Sequence, residues 1–319
     1  MLVKPEEMTF TDKTFSMIIY GSPGIGKTTL ALSAPNPILI DFDRGIARVK
    51  AYHRKLTIVC SSYEDVLNDI ESPEVKAADT IIIDTGGSFI TFLQAWAMKV
   101  NPSVNCQKDG KTISIKGFGA VKAEFQRFTS YIRDVLHKNI IYVFHSDEQK
   151  DKDGNPMQRL LCEGAAKNIV WQPCDFGGYM QMIGNRRTIN FAPTQEYFAK
   201  GCFGLKDTYT VPALGGPETE NNFLTKLFES ARAAIASENE YFAPLRDQYE
   251  RTMAEAEAII KAIDTPEAAD EAGKVIPNMK HALTSLSEIR AMFAARIKEL
   301  GYVFDKETKT YSAPKEVNE

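Results

Sequence analysis

The sequence of 319 residues contains no Cys-x-x-Cys pair, no long apolar run and no excess of basic residues. Its five cysteines are widely spaced, which indicates buried free thiols rather than a zinc site or a disulfide framework. No apolar run approaches the roughly 18 residues of a candidate membrane span. The N-terminal segment MLVKPEEMTF is acidic and lacks the apolar core of a signal peptide. We therefore expect a cytoplasmic protein with no membrane partner.

The charge is distributed unevenly along the chain, whose formal net charge is -4. Acidic residues outnumber basic ones from Glu218 onward, whereas the rest of the chain is close to neutral. An overall basic surface of the kind that binds nucleic acid is therefore absent. Any nucleic-acid binding has to use a local patch.

Short apolar segments alternate with helical patterns up to about Leu214. Five of these segments are β-branched and apolar on both faces, as in the strands of a covered parallel sheet. They span residues 15–20, 36–42, 56–60, 80–84 and 139–145. A capping-box signal at Ser61 and Glu64 predicts a helix start. Apolar residues at helical spacing from Val121 to Val135 predict an amphipathic helix, and a Gly-Asn turn between YMQMI and RTINF predicts a β-hairpin.

The predicted fold class is α/β, with a mostly parallel central sheet in residues 1–214 and a helical region in residues 215–319. In the helical region, two apolar faces separated by TPEAADEAGKVIP predict an antiparallel helical hairpin. The segment YVFDKETKTYSA, near the end, predicts a small terminal hairpin.

The segment GSPGIGKTT matches the phosphate-binding loop pattern G-x-x-x-x-G-K-[ST] in full. A predicted strand ends before it at Tyr20 and a helical segment follows, which is the context that the motif requires. Backbone N–H groups of such a loop and the helix N-terminus bind phosphate. We expect Lys27 to reach the β- and γ-phosphates of ATP, and the Thr28 hydroxyl to ligate Mg²⁺. The predicted nucleotide-binding residues are Gly21, Ser22, Pro23, Gly24, Ile25, Gly26, Lys27, Thr28 and Thr29.

The segment TIIIDTGG, residues 80–87, predicts a buried strand that ends in a carboxylate. Asp84 would be the Walker B residue and the second protein ligand of Mg²⁺. Many nucleotidases place a glutamate directly after this aspartate to activate water, but here the position holds Thr85. The water-activating group therefore has to come from another segment.

The segment ILIDFDRG, residues 38–45, follows the helix of the phosphate loop and ends in two aspartates. Side chains alternate along a strand, so Asp41 and Asp43 share a face if the strand persists. A carboxylate at the tip of that strand could lie across from the γ-phosphate and orient water.

Together these motifs resemble the RecA/DnaB-type ATPase core. The resemblance implies a RecA-like P-loop fold with Asp43 as a catalytic residue, one methylene shorter than the family's glutamate. The family also has Ser or Thr where this chain has Thr85, whereas AAA-type ATPases have glutamate, so we expect the chain to be unlike them. In this family the next strand ends in a polar sensor of the γ-phosphate. The resemblance therefore implies that His145, near the end of NIIYVFHSD, has this role. The segment EYFAKGCFGL implies that Lys200 reaches the nucleotide of a neighbouring subunit, the alternative being a solvated lysine.

The segments GSPGIGKTT, FDRG, IIIDT, VFHSD and YFAKG are similar to those of compact phage ATP-binding proteins of the Sak type, which are reduced RecA-like recombinases. This resemblance implies an ATPase stimulated by single-stranded DNA in phage-type homologous recombination or strand annealing. It also implies a single-strand binding or annealing protein as partner. A homo-oligomer, as a ring or filament, would follow from head-to-tail contacts.

Two polar insertions, residues 101–119 and 148–158, supply cations and apolar side chains of the kind that bind single-stranded DNA. We expect both to follow strands whose C-terminal ends lie on the nucleotide side of the sheet. The candidate DNA-binding residues are Lys108, Lys111, Lys116, Phe118, Lys150, Lys152 and Arg159. Because the insertions also contain Asp and Glu, two solvated loops are the alternative.

Two other functions fit the same motifs. One is a packaging or other mechanical ATPase that uses the helical region as a partner arm. The other is a nucleotide-gated binding protein that hydrolyses little ATP, because Asp43 is short or misplaced. A nucleotide kinase is disfavoured because the sequence contains no arginine-rich lid segment.

Overall fold

The computed structural model describes residues 3, 8, 10, 12–162 and 166–313. The chain forms two compact units: Asp12–Ala234, and the described residues from Ile235 onward together with those before Asp12. The first unit extends beyond Leu214 because the start of the long helix that follows packs into its core. Leu224 and Phe228 of that helix are fully buried, and the Phe228 ring stacks against Phe176 at a centroid distance of 6.0 Å.

A nine-stranded sheet forms the centre of the first unit. Its strands are β1 (Ser16–Gly21), β2 (Pro37–Asp41), β3 (Thr57–Val59), β4 (Thr80–Asp84), β5 (Asn139–Lys150), β6 (Pro156–Leu160), β7 (Phe176–Ile183), β8 (Arg186–Asn190) and β9 (Thr208–Thr210). Their order is β3-β2-β4-β5-β1-β7-β8-β9, with β6 paired to β5. Pairing is parallel from β3 to β7 and antiparallel in the pairs β7–β8, β8–β9 and β5–β6. The predicted α/β fold with a mostly parallel sheet is confirmed.

The strand order brings the predicted site residues to one edge of the sheet. Strand β5 lies between β1 and β4, and its register places His145 beside Gly21 at the start of the phosphate loop. Strand β2 pairs with β4 so that Asp41 lies beside Asp84. Because parallel strands end at the same edge, the loops after β1, β2 and β4 meet there.

Seven helices belong mainly to the α/β unit among the described residues: α1 (Lys27–Ala31), α2 (Tyr63–Asp69), α3 (Pro73–Ala77), α4 (Gly86–Val100), α5 (Pro102–Asn105), α6 (Ile115–Ser130) and α7 (Ala166–Trp171). The capping box of α2 uses Ser62 and Asp65, one residue later than predicted. Helix α6 is the predicted amphipathic helix and continues as a π-helical turn, Tyr131–Val135. Val135 was expected on the apolar face but is 61% exposed, because the π turn shifts the helical register.

Two β-hairpins extend the sheet. The predicted hairpin around Gly184 is confirmed as β7–β8. Strand β5 continues beyond its buried part and pairs with β6, so the polar segment after His145 is a hairpin. The prediction that this strand ends at His145 is therefore wrong, because antiparallel pairing with β6 extends it to Lys150.

The second unit contains most of α8 (Phe223–Lys261), together with α9 (Pro266–Val275) and α10 (Ser285–Glu299). Its core includes Ile260, Ile263 and Ile289, whereas Leu245, expected on an apolar face, is 40% exposed. The predicted small hairpin is present as β10 (Val303–Asp305) and β11 (Thr310–Ser312). Within the residues that the structure describes, none of the helices is both long and apolar enough to cross a membrane.

Candidate functional site

The phosphate loop connects β1 to α1 and has the backbone shape that binds phosphate. Gly24 and Gly26 adopt left-handed conformations, with φ of 77° and 100°. A residue with a side chain would be strained at either position, because L-residues rarely adopt positive φ. Positive φ at such glycines is the geometry by which phosphate loops turn successive N–H groups toward an anion.

Lys27 is buried beneath this loop, with only 5% of its surface exposed. Its ammonium donates to the carbonyls of Gly21 (2.9 Å) and Ser22 (2.8 Å) and lies 3.3 Å from His145 Nδ1. Since an ammonium only donates, Nδ1 accepts and the ring proton lies on Nε2. Burial lowers the pKa of Lys27 to about 8, although Asp84 and Asp43 oppose this shift. Burial and the Lys27 charge also lower the pKa of His145, which keeps its ring neutral.

Thr28 and Asp84 form the candidate metal-binding pair. The Thr28 hydroxyl donates to Asp84 Oδ2 at 2.5 Å, although the residues are far apart in sequence. Burial raises the pKa of Asp84 to about 6, and the Thr28 hydrogen bond opposes this. A hydroxyl and a carboxylate at the mouth of a phosphate loop are the oxygen ligands that Mg²⁺ uses with nucleotide phosphates. These residues therefore fit a Mg²⁺ ion that is shared with a bound nucleotide.

Asp41 and Asp43 occupy different environments, because the strand does not persist to Asp43, as a shared face would require. Strand β2 ends at Asp41, which is fully buried and accepts backbone hydrogen bonds from Gly45 (2.8 Å) and Ile46 (2.9 Å). Asp41 thus fixes the turn that presents Asp43 to the site. Asp43 Oδ2 pairs with Arg48 at 2.9 Å, and its buried Oδ1 has no hydrogen-bond partner among the described residues. A Cβ on Gly45 would crowd both members of this pair, at 2.7 and 2.9 Å.

Gly86, the first of the two glycines after Thr85, has a structural explanation. A Cβ on Gly86 would clash with the Phe144 ring, so the start of α4 can pack on β5 only with glycine there. The Thr85 hydroxyl accepts a hydrogen bond from the Ser88 amide and caps α4. At the position where many nucleotidases have a catalytic glutamate, Thr85 therefore caps a helix.

One cavity of about 570 Å³ brings most of the predicted catalytic and metal-binding residues together. Its lining includes Lys27, Thr28, Asp43, Asp84 and His145. Of the predicted loop residues, Pro23, Gly24, Gly26 and Thr29 also line it, whereas Gly21, Ser22 and Ile25 do not. A volume of this size is typical of small-molecule sites.

The cavity also contains residues that the sequence analysis missed. Arg187, on β8, lies over the phosphate loop, with Nε 3.7 Å from the position of a Cβ on Gly26. Arg48 lines the cavity beside Asp43, and Asn221 and Asn222 line it just before α8. The FDRG-x-x-R spacing could have indicated Arg48. Nothing local in the sequence marks the other three, because they meet the loop only through the fold.

Lys200 lies outside the lining of this cavity. It bridges to Gly177 of β7, and its ammonium donates to the Cys174 carbonyl of the same chain at 2.5 Å. Its predicted action on a neighbouring subunit stays a prediction.

The candidate DNA-binding residues lie in two surface regions. The insertion of residues 101–119 follows α4 rather than a strand, so the expected placement directly after a strand is wrong for it. It exposes Lys108, Lys111 and Lys116, and Phe118 is 44% exposed.

The other candidates lie on the β5–β6 hairpin. Lys150 and Lys152 are exposed near its tip. Arg159 instead packs its guanidinium 3.8 Å from the centre of the Phe198 ring and donates to the Gln158 carbonyl. Arg159 is thus already held by contacts within the chain.

A family match covers the phosphate loop and the strands that carry most of these residues. The family AAA_24, described as an AAA domain, matches residues 13–203, more than half of the chain. No curated protein matches the sequence. The expectation that the chain would be unlike AAA-type ATPases is corrected by this match, even though Thr85 stands where a glutamate was expected. The phosphate loop, the Thr28–Asp84 pair and all the parallel strands of the sheet lie within the matched residues. The chain therefore belongs to the AAA_24 family of AAA-type P-loop ATPase domains.

Proposed function

We propose that this protein is a Mg-ATP-dependent ATPase that acts on single-stranded DNA in phage-type homologous recombination or strand annealing. The observation that carries the ATPase part is the meeting of Lys27, the Thr28–Asp84 pair and Asp43 in one cavity. These are a phosphate-binding cation, a metal-binding pair and a carboxylate that can orient water. Together they supply the parts that ATP hydrolysis needs.

The proposed chemistry assigns one role to each residue. The loop amides and Lys27 bind the phosphate oxygens, with Lys27 exchanging loop carbonyls for phosphate. Thr28 and Asp84 would hold Mg²⁺, which neutralises charge on the β- and γ-phosphates. Asp43 orients a water and accepts its proton while the water oxygen bonds to the γ-phosphorus. The bond from the γ-phosphorus to the bridging oxygen breaks, which releases ADP and phosphate.

His145 is proposed to sense the γ-phosphate through Lys27. Its Nδ1 accepts a hydrogen bond from the Lys27 ammonium, so a shift of Lys27 toward phosphate removes that bond. Strand β5 runs without interruption from His145 to Lys150 in the hairpin. This continuity supports a route by which nucleotide binding could alter a DNA-contacting hairpin.

The proposal for DNA rests on the resemblance together with the exposed lysines of the two insertions. Flexible cations beside an exposed ring suit a phosphate backbone and stacked bases. Lys111, Lys116 and Phe118 offer this combination on one segment. A ring or filament in which Lys200 leaves the Cys174 carbonyl to reach a neighbour's nucleotide belongs to the same proposal.

A second candidate is a nucleotide-gated binding protein with little hydrolysis, and the environment of Asp43 favours it. Arg48 occupies Oδ2 of Asp43, and Oδ1 is buried. With Oδ2 in the ion pair and the unpartnered Oδ1 shielded from solvent, this arrangement leaves neither oxygen open to an attacking water. Fast hydrolysis would require the Asp43–Arg48 pair to open.

The test is ATP turnover by the full-length protein in Mg²⁺, measured with and without single-stranded DNA. Strong stimulation by DNA supports the main proposal. Tight ATP binding without turnover in either condition supports the second candidate. Fast turnover that DNA does not change would favour a mechanical ATPase and contradict the role proposed for DNA.

A further inference from the structure

Arg48 lines the cavity beside Asp43, and its side chain is 70% exposed. Its Nη2 donates to Asp43 Oδ2 at 2.9 Å. Burial lowers the pKa of His145, and the charges of Lys27 and Arg48 add to this effect. Since His145 lies 3.3 Å from the Lys27 ammonium, the Arg48 charge acts at the end of the cavity where the γ-phosphate is proposed to bind.

Two other exposed cations of the cavity lining have different positions. Arg187 lies over Gly26 of the phosphate loop. The amides of such a loop bind the α- and β-phosphates, which ATP and ADP share. The Lys50 ammonium lies 5.8 Å from the centre of the Tyr52 ring. Arg48 is therefore the exposed cation that lies beside the carboxylate proposed to orient water.

The distance between Asp43 and the γ-phosphate would be short. A water that is hydrogen-bonded to Asp43 lies about 3 Å from the carboxylate, and the phosphorus that it attacks lies about 3 Å further on. The long side chain of Arg48 already contacts Asp43, so rotation about its own bonds can bring the guanidinium to a phosphate oxygen.

The energies of the two contacts favour such an exchange. An exposed ion pair changes an equilibrium constant by only about fivefold or less. Arginine binds phosphate more strongly, because the planar guanidinium donates two parallel charge-assisted hydrogen bonds. A bound γ-phosphate therefore competes with Asp43 for Arg48.

We propose that Arg48 leaves Asp43 and binds the γ-phosphate of a bound nucleoside triphosphate, so that the site distinguishes ATP from ADP. This inference rests on the proposed nucleotide site and identifies the residue that recognises the terminal phosphate. With ADP there is no γ-phosphate to bind, and the Asp43–Arg48 pair stays closed. The exchange frees Asp43 Oδ2 for a water only when there is a γ-phosphate to attack.

The test measures dissociation constants of the full-length protein by calorimetry, for the Mg²⁺ complexes of ADP and of the non-hydrolysable ATP analogue AMP-PNP. Wild type should bind AMP-PNP more tightly than ADP. Arg48→Ala should weaken AMP-PNP binding by about tenfold or more, the effect of one lost charged hydrogen bond, and should change ADP binding by less than about twofold. Arg48→Lys keeps the charge but loses the two parallel hydrogen bonds, so it should recover part of the affinity.

The same measurements in the Asp43→Asn background separate a direct contact from an effect through Asp43. If Arg48 binds the γ-phosphate itself, Arg48→Ala weakens AMP-PNP binding by about tenfold or more in this background too. If Arg48 only positions Asp43, its replacement has no effect there. That result would overturn the inference.

Arg54→Ala is the matched control, because Arg54 lies in the same segment but outside the lining of the cavity. Arg54 donates to the carbonyls of Val49 at 2.9 Å and Ala47 at 3.1 Å. Its replacement should leave the preference for AMP-PNP over ADP unchanged. If it removes the preference as Arg48→Ala does, the effect is that of a loosened segment, and the inference is overturned.

The inference is also overturned if wild type binds the two nucleotides equally, or if Arg48→Ala keeps the wild-type preference. A protein that prefers AMP-PNP through Arg48 but never hydrolyses ATP would contradict the proposed ATPase while supporting the inference. Wild type that binds no nucleotide would contradict both.

Discussion

Arg48 Nη2 lies 2.9 Å from Asp43 Oδ2, which places an ion pair where the water-activating carboxylate is expected. The Asp43 side chain is 23% exposed and that of Arg48 is 70% exposed. An ion pair exposed to this extent contributes little stability, so it can open at small cost. The ion pair thus orients the Asp43 carboxylate, and Arg48 can move away from it at a small cost in free energy.

Replacing Asp43 by asparagine should separate binding from hydrolysis. The amide keeps the size of the side chain but cannot accept the proton of water. We expect ATP turnover to fall by about 100-fold or more, the usual contribution of a general base, while ATP affinity changes little. Phosphate release and ATP binding should be measured on the same preparation.

Asp69→Asn, at an exposed position on α2, is the control for the loss of one negative charge. It should leave turnover unchanged. Normal turnover in Asp43→Asn would show that another group activates the water.

Asp84→Asn should stabilise the nucleotide-free protein while removing its response to Mg-ATP. The pKa of Asp84 is raised by burial to about 6, so the folded state holds a proton that the unfolded state releases near pH 4. As pH rises from about 4 to about 6, this group lowers the free energy of unfolding, and asparagine removes the effect. The expected gain at pH 7 is on the order of 3 kcal/mol, from the shift multiplied by the energy of one pKa unit.

Chemical denaturation at pH 4 and pH 7 measures this difference. The gain should be small at pH 4 and full at pH 7. Saturating Mg-ATP should raise the stability of wild type, as any ligand of the native state does, and should do so much less for Asp84→Asn. If wild type and Asp84→Asn had equal free energies of unfolding at both pH values, burial of the charged Asp84 would not destabilise the folded state.

Arg187→Ala should weaken nucleotide binding, whereas Arg186→Ala should not. The two residues are adjacent on β8 and both are exposed, but successive side chains on a strand face opposite sides. Only Arg187 lines the cavity. Loss of one charge-assisted contact with phosphate should raise the dissociation constant of Mg-ATP by about tenfold or more.

Equilibrium titration with a fluorescent ATP analogue distinguishes the two variants. Arg187→Lys keeps the charge and should recover part of the affinity. Equal affinities of Arg187→Ala and Arg186→Ala would exclude Arg187 as a nucleotide contact.

Neutralising the lysines of the first insertion should weaken binding of single-stranded DNA in a salt-dependent way. The triple variant is Lys108→Ala, Lys111→Ala, Lys116→Ala. Its slope of log affinity against log salt should be less negative than that of wild type by about 2, as three lost phosphate contacts predict. Oligonucleotide binding by fluorescence anisotropy at several salt concentrations gives this slope.

Three exposed lysines of the helical unit, Lys261, Lys298 and Lys306, provide the matched control. Their replacement by alanine should leave the slope unchanged. An unchanged slope in the triple variant would indicate that these loops are merely solvated.

The strands and the phosphate loop could be predicted because their signals are local. TIIID is apolar on both faces, and the structure buries all five residues as β4. Two adjacent serines left the capping residue of α2 ambiguous by one position, since either can precede an acidic residue three positions later. Strand β2 ends at Asp41 because the Asp41 carboxylate accepts a hydrogen bond from the Gly45 amide, four residues later. The alternation of side chains along a strand does not predict such a contact.

The rest of the site comes from contacts between distant segments. Arg187 meets Gly26 only because β7 and β8 extend the sheet beside β1. Asn221 donates to the Thr29 carbonyl only because the fold brings the segment before α8 against α1. Neither contact leaves a periodic or motif signal in the sequence, so only the fold shows them.

The central claim, that this chain hydrolyses ATP in the cavity at the phosphate loop, is tested most directly by Mg-dependent phosphate release from wild type and Lys27→Ala. We predict release by wild type in the presence of single-stranded DNA and none above background from Lys27→Ala. Circular dichroism should show that the variant is folded. Equal release by the two proteins, or none by wild type with or without DNA, would contradict the claim.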